Sequence, residues 1–201
     1  VCAFVGSFVV LQKRNSEFWF STWMMVSSVK SVLLRDSIKM DTYPTSIEML
    51  YAQVKLGIKN VFFSRPTDTP LHQYIGPLDV RFRDYAEMIF LVDEVLIQKI
   101  YFFSSKTQTP FIIDCGSHIG TTVLFFKSLY PHAKIIAIEP DDRNFGLLTE
   151  NIAVNKLSNV TTINKALHDH NGTVTFYRGE RYTTESSLIK YKTFGGEKQV
   201  E

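Results

Sequence analysis

The apolar positions of this chain fall into short blocks whose period switches between two and about 3.6, most regularly from Pro110 to Leu167. "PFIIDC" (110–115) reads as a buried strand, "TTVLFFKSLYP" (121–131) as a helix, "KIIAIEP" (134–140) as a strand, "RNFGLLTENIAVNKL" (143–157) as a helix and "VTTINKAL" (160–167) as a third strand. Strands alternating with helices predict an α/β fold with a parallel sheet, helices on both faces and right-handed crossovers. "GTVTFYRG" (172–179) reads as one arm of a strand pair, and 183–201 as a polar, partly disordered end.

Before residue 110 the pattern is less regular. Residues 18–34 are apolar but dotted with Ser and Lys, a poor period read as a helix. In "DTYPTSIEMLYAQVKLGIKN" Thr45 or Ser46 can cap a helix, Ile47, Leu50, Tyr51, Val54 and Ile58 recur at helical spacing, and Gly57 with Asn60 offers a stop. "SRPTDTPLHQYIGP" (64–77) reads as a linker, and "LDVRFRD" (78–84) alternates as a half-buried strand does. From Tyr85 to Phe103, Met88, Leu91, Val92, Val95 and Ile100 mark one helix face, with Asp84 as its cap. The reading divides the chain into a mainly helical segment, 1–80, and an α/β domain, 81–201.

Composition narrows the class without naming a chemistry. At 201 residues, 45% hydrophobic and 21% charged, the chain has the make-up of a soluble globular protein. A net charge of +2 without clustered Lys and Arg argues against nucleic acid as partner. Cys2 and Cys115 have no CxxC partner, so neither a disulfide framework nor a zinc site is suggested, and a reducing cytoplasm is the default location. The apolar run at residues 1–11 is shorter than the roughly 20 residues a membrane span requires. With no initiator Met it is also compatible with the tail of a lost anchor or signal segment, in a chain read as a fragment.

Two of the strands end on acids, Asp114 and Glu139. In open parallel sheets ligands bind beyond the carboxyl ends of the strands, so these acids and the turn "CGSHIG" between the first of them and its helix are the leading site candidates. Gly116 allows a tight turn and Gly120 a close approach at the helix start. A nicotinamide enzyme would show GxGxxG. Here the glycines are spaced GxxxG and an acid opens the turn, which suits a cationic cofactor without a diphosphate. His118 in that turn reads as a pocket liner rather than a catalytic base. "HDH" (168–170) has residue types that bind metals, but at i, i+2 spacing before the turn residues Asn171 and Gly172 it reads as a solvated loop.

"IIDCGSHIGTTVLFFKSLYPHAKIIAIEPD", "LLTENIAVNKLSNVTTINKAL" and "GTVTFYRG" together resemble the class I S-adenosylmethionine-dependent methyltransferases, and within them the FkbM-type group. "DCGSHIG" is similar to that group's D-x-G-x-x-x-G motif, with His118 where Asn is more usual, and "IEPD" to its second motif. The resemblance implies a Rossmann-like sheet binding S-adenosylmethionine. Asp114, Gly116, Ser117, His118 and Gly120 would surround the methionine end, Glu139 the ribose hydroxyls, Pro140 and Asp141 the adenosine, and Ala166 and Leu167 the adenine. It also implies a small-molecule or glycan acceptor methylated on oxygen, and a further strand ending in D-x-E-G beyond Glu201. No residue here is assigned as the catalytic base.

Overall fold

A computed structural model describes residues 3–5, 8–12, 43–63, 67–179 and 194–200. The helix expected at 18–34 lies outside the described residues. The architecture is α/β: one sheet has the strand order β1 (Ala3–Val5), β2 (Phe8–Gln12), β5 (Phe111–Cys115), β6 (Lys134–Ile138), β7 (Val160–Ile163). β2, β5, β6 and β7 run parallel, and β1 is antiparallel to β2. The apolar run at the start of the chain thus supplies two strands. No helix among the described residues is long and apolar enough to cross a membrane.

Helix α3 (Thr121–Leu129) connects β5 to β6, and α4 (Asp142–Val154) connects β6 to β7. α3 buries Val123, Leu124, Phe125, Phe126 and Leu129. At about 1.5–3 kcal/mol for each large side chain removed from water, that burial is the main force holding α3 in place. α4 is fixed by its cap: Asp141 accepts from the amides of Arg143 and Asn144, which uses amides the first helical turn leaves without partners.

Ahead of β5, helix α1 (Ser46–Phe62) is followed by the hairpin β3 (Leu71–Ile75) and β4 (Leu78–Phe82), then by α2 (Tyr85–Leu91). Residues 71–75, expected to be linker, are therefore a strand. "LHQYI" has no clear alternation, and its pairing with β4 through the left-handed Gly76 (φ 56°) decides the matter. The expected division at residue 80 falls inside β4, and Tyr43, Met49, Ala52 and Leu56 share one core with Ile112, Val123 and Phe125.

Two further expectations change. Helix α1 is amphipathic, with Thr45 and Glu48 forming a reciprocal capping box. Its buried face, however, is Met49, Ala52, Gln53, Leu56 and Gly57, and the expected apolar stripe points outward: Ile47 is 80% exposed, Tyr51 65% and Ile58 58%. Both faces carry apolar residues at helical spacing, and contact with α2 selects the narrower one. The expected long helix 85–103 ends as α at Leu91, continues as a π-helical turn Val92–Ile97, and stops before Lys99 (φ 54°), leaving Ile100 51% exposed.

At the C-terminal side β8 (Val174–Gly179) pairs antiparallel with β9 (Phe194–Val200). β8 is an arm of a strand pair as read. β9 corrects the expectation of a polar, partly disordered end, because "FGGEKQV" has weak strand propensity and takes its order from the partner strand.

Candidate ligand site at the carboxyl edge of the sheet

Because β5, β6 and β7 are parallel and in register, their carboxyl ends lie on one edge. Hydrogen bonds then tie the turns that leave this edge. The amides of Gly116 and Ser117 both donate to the Ile138 carbonyl (2.8 and 2.9 Å), and the Asn164 amide group donates to the Glu139 carbonyl (2.7 Å). In the first turn Gly116 (φ 85°), His118 (φ 54°) and Gly120 (φ 87°) are all left-handed. Asn and His tolerate this region better than most side chains, which gives a physical reason why the turn can carry His118.

Glu139 is the hinge pin of the arrangement. One carboxylate oxygen accepts from the His118 amide and the other from the Asp141 amide, each at 2.8 Å, so a single buried side chain clamps both turns. Burial pushes its carboxyl above the ordinary value, against the pull of the nearby His118 and the two amides. Each oxygen keeps a second lone pair for a ligand hydroxyl. Asp141 is also buried, and its own carboxylate caps α4. Pro140 lies between them, half-buried.

Asp114 is buried at the end of β5 and accepts a hydrogen bond from the Thr122 hydroxyl, while Ser117 donates to the Asp114 carbonyl (3.0 Å). The His118 ring meets Glu87 of α2 (Nε2 to Oε1, 3.4 Å), both side chains buried. Between the first turn and the π-helical turn lies a cavity of about 20 Å³ whose walls include Asp114, Gly116, His118, Thr121, Glu94 and Tyr101. Burial, then the charges of Glu94 and Asp114, raise the Tyr101 hydroxyl's pKa, so it stays protonated. The Thr121 hydroxyl is buried in the wall without a hydrogen-bond partner among the described residues. Cys115 is half-buried, and burial together with Asp114 raises its thiol pKa, which argues against a reactive thiolate.

Ala166 and Leu167 lie elsewhere. The third strand ends at Ile163, earlier than expected, and both residues belong to the loop after it, where they line a separate cleft of about 340 Å³ with His168 and His170. Glu87, Glu94, Tyr101, Thr121 and Thr122 complete the surroundings of the first turn and were missed by motif reasoning. For the acids there was a signal: Glu87 and Glu94 interrupt an otherwise apolar helical stretch.

Over 89 residues the chain is 35% identical to Methyltransferase sdnD of Sordaria araneosa, a match covering 44% of this chain and 34% of that protein. Over 74 residues it is 32% identical to Methyltransferase 1 of Beauveria bassiana (strain ARSEF 2860), covering 37% and 30%. In sequence, the chain resembles methyltransferases. It spans about a third of the length of these curated relatives. No family model matches it. Among solved structures, Pyrococcus horikoshii TYW2 in complex with MeSAdo superposes with a TM-score of 0.37 at 19% identity, over 67% of this chain and 57% of that one. Coclaurine N-methyltransferase bound to N-methylheliamine and SAH gives 0.30 at 17%, over 80% and 42%.

The donor set around the first turn has a definite ligand preference. Two carboxylates, Asp114 and Glu94, line the cavity, and among the described residues neither Lys nor Arg does. The Gly116 and Ser117 amides that could cradle a phosphate are already bonded to Ile138. Such a site favours a cationic group and opposes a diphosphate. The unpartnered Thr121 hydroxyl adds a polar atom with bonding capacity to spare. At about 20 Å³ the cavity as it stands has room for one water and not for an amino-acid tail.

Proposed function

We propose that this chain is the cofactor-binding part of an S-adenosylmethionine-dependent methyltransferase of FkbM type, which methylates a hydroxyl of a small-molecule or sugar-containing acceptor. The observation that carries the reading is the acidic first-turn cavity, whose charge suits the cationic cofactor and not NAD. In this reading Asp114, Gly116, Ser117, His118 and Gly120 hold the methionine end. Glu139 accepts from the ribose diol, Pro140 and Asp141 flank the adenosine, and Ala166 with Leu167 meets the adenine. When bound, the cofactor supplies a methyl group on a sulfonium. The protein's part is to place that group in line with the acceptor oxygen, since positioning supplies much of the acceleration in such a displacement. Glu139 acts twice, fixing both turns and orienting the ribose.

Titration calorimetry of the full chain with S-adenosylhomocysteine and, separately, with NAD tests the reading. Binding of the first alone is expected, and binding of NAD alone would overturn it. Asp114→Asn removes one negative charge and is expected to weaken S-adenosylhomocysteine by about 1.5–3 kcal/mol, the usual worth of a hydrogen bond to a charged group. Unchanged affinity would place the amino-acid tail elsewhere. A second reading, a cofactor-binding module without transfer activity, draws on the chain's match to only about a third of its relatives' length. Cofactor binding with no methyl transfer to any acceptor of a hydroxylated small-molecule and glycan panel would favour it.

A further inference from the structure

The loop between β7 and β8 brings together three side chains that the site above does not use. His168 Nδ1 lies 2.6 Å from Asp169 Oδ1, His170 Nδ1 lies 2.8 Å from the same oxygen, and the two ring nitrogens are 2.9 Å apart. These three atoms form a nearly equilateral triangle, and protons alone cannot satisfy all three of its edges. With both Nδ1 atoms protonated, each donates to Asp169, and the two N–H groups then oppose one another at 2.9 Å. With one proton, one imidazole lone pair faces the carboxylate. A single cation above the triangle accepts all three lone pairs at once. Two ligands about 2.1 Å from a metal stand about 3.0 Å apart at the right angle of an octahedral site and about 3.4 Å apart at the tetrahedral angle, so the separations found fit three adjacent positions of an octahedral ion.

The position suits an ion with work to do. The loop follows the carboxyl end of β7, on the ligand edge of the sheet, and His168 and His170 line the 340 Å³ cleft, which has space for water or an oxygen ligand beside the ion. Two imidazoles and one carboxylate are a donor set for a borderline divalent ion, whereas Mg²⁺ and Ca²⁺ prefer all-oxygen sites.

We infer that His168, Asp169 and His170 form a binding site for a borderline divalent transition ion, for which Zn²⁺ and Co²⁺ serve as probes, with its remaining coordination positions open to the cleft. No first-turn residue takes part, but His168 and His170 share the cleft of Ala166 and Leu167, so ion uptake is measured without cofactor and its failure is distinct from a failure of cofactor binding.

The test uses the full chain without a histidine tag. Zn²⁺ uptake is measured by calorimetry, and Co²⁺ serves as a visible-absorption probe. One ion is expected to bind, with Co²⁺ bands of a nitrogen and oxygen site. His168→Ala with His170→Ala is expected to weaken binding by about tenfold or more. All three residues are exposed, so the variant should keep the wild-type unfolding midpoint. No saturable uptake up to millimolar Zn²⁺, a loss smaller than tenfold, a cobalt–thiolate charge-transfer band pointing to a cysteine, or tighter binding of Mg²⁺ than of Zn²⁺ would each overturn the assignment.

Discussion

At Gly116 and Gly120 one backbone conformation meets two different surroundings. Both are left-handed, but a Cβ on Gly116 would meet nothing within 4 Å, whereas one on Gly120 would stand 2.7 Å from Leu148 Cδ1. Gly116→Ala is therefore expected to cost about 1–2 kcal/mol, the backbone penalty alone. Gly120→Ala should cost more, because repacking a buried leucine adds about 1–3 kcal/mol. Urea unfolding of the two variants checks the order, and equal costs would mean that Leu148 yields freely. Glu139 gives a pH test. Its raised carboxyl means that the native state binds the proton more tightly than the unfolded chain. Stability attributable to this group is present at low pH and is lost as pH rises from the ordinary value of 4.5 through the raised native one. Glu139→Gln should flatten that part of the urea-midpoint profile. At neutral pH it should still destabilise by about 1–3 kcal/mol, because its amide NH₂ must face either the His118 or the Asp141 amide, leaving a buried donor unpaired. A profile unchanged by the substitution would assign the proton to another group.

Among the elements, α1 shows what period alone leaves undecided. Two apolar stripes share the helix, and the one along Ile47, Tyr51, Val54 and Ile58 is the exposed one. Leu56→Ala should cost about 2–5 kcal/mol as a cavity in the core. Ile58→Ala should stay within about 0.5 kcal/mol. Denaturant midpoints that reversed this ranking would mean that the outer stripe is covered in solution. At the end of α4, Asn151 and the capping Asn155 stand one turn apart. Asn155 exchanges two hydrogen bonds with the backbone of Asp79 and Asn151 does the same with Arg81, so that two side-chain amides pair with β4 as a neighbouring strand would. Asn151 also donates to the Ile119 carbonyl, joining the hairpin, α4 and the first turn. Asn151→Ala should cost about 2–4 kcal/mol, since it strands buried backbone groups. The Arg81 amide should then exchange hydrogen markedly faster, and an unchanged rate would show that the bond is not what protects it.

For the molecule as a whole, the cofactor reading makes a prediction by mass action. A ligand at one hundred times its dissociation constant stabilises the native state by about 2.7 kcal/mol. In a chain of this size that raises the thermal midpoint by roughly 5–10 °C. S-adenosylhomocysteine should produce such a shift and NAD should not. A smaller shift in the variant lacking His168 and His170 would mean that the cleft they share with Ala166 and Leu167 holds part of the cofactor.

The sequence by itself determined the βαβαβ run from Phe111 to Ile163, the acid at the end of each of the first two strands and the glycine turn between them. These are local signals, set by the alternation of strand and helix periods and by where the backbone must take a positive φ. Tertiary structure decided which stripe of α1 is buried, that "LHQYI" and "FGGEKQV" are strands, and that Glu139 locks two turns together. Each of these depends on a partner distant in the chain: α2 for the helix face, a second strand for each weak one, and the His118 and Asp141 amides for the carboxylate. The same dependence joins Glu94 and Tyr101 to Asp114.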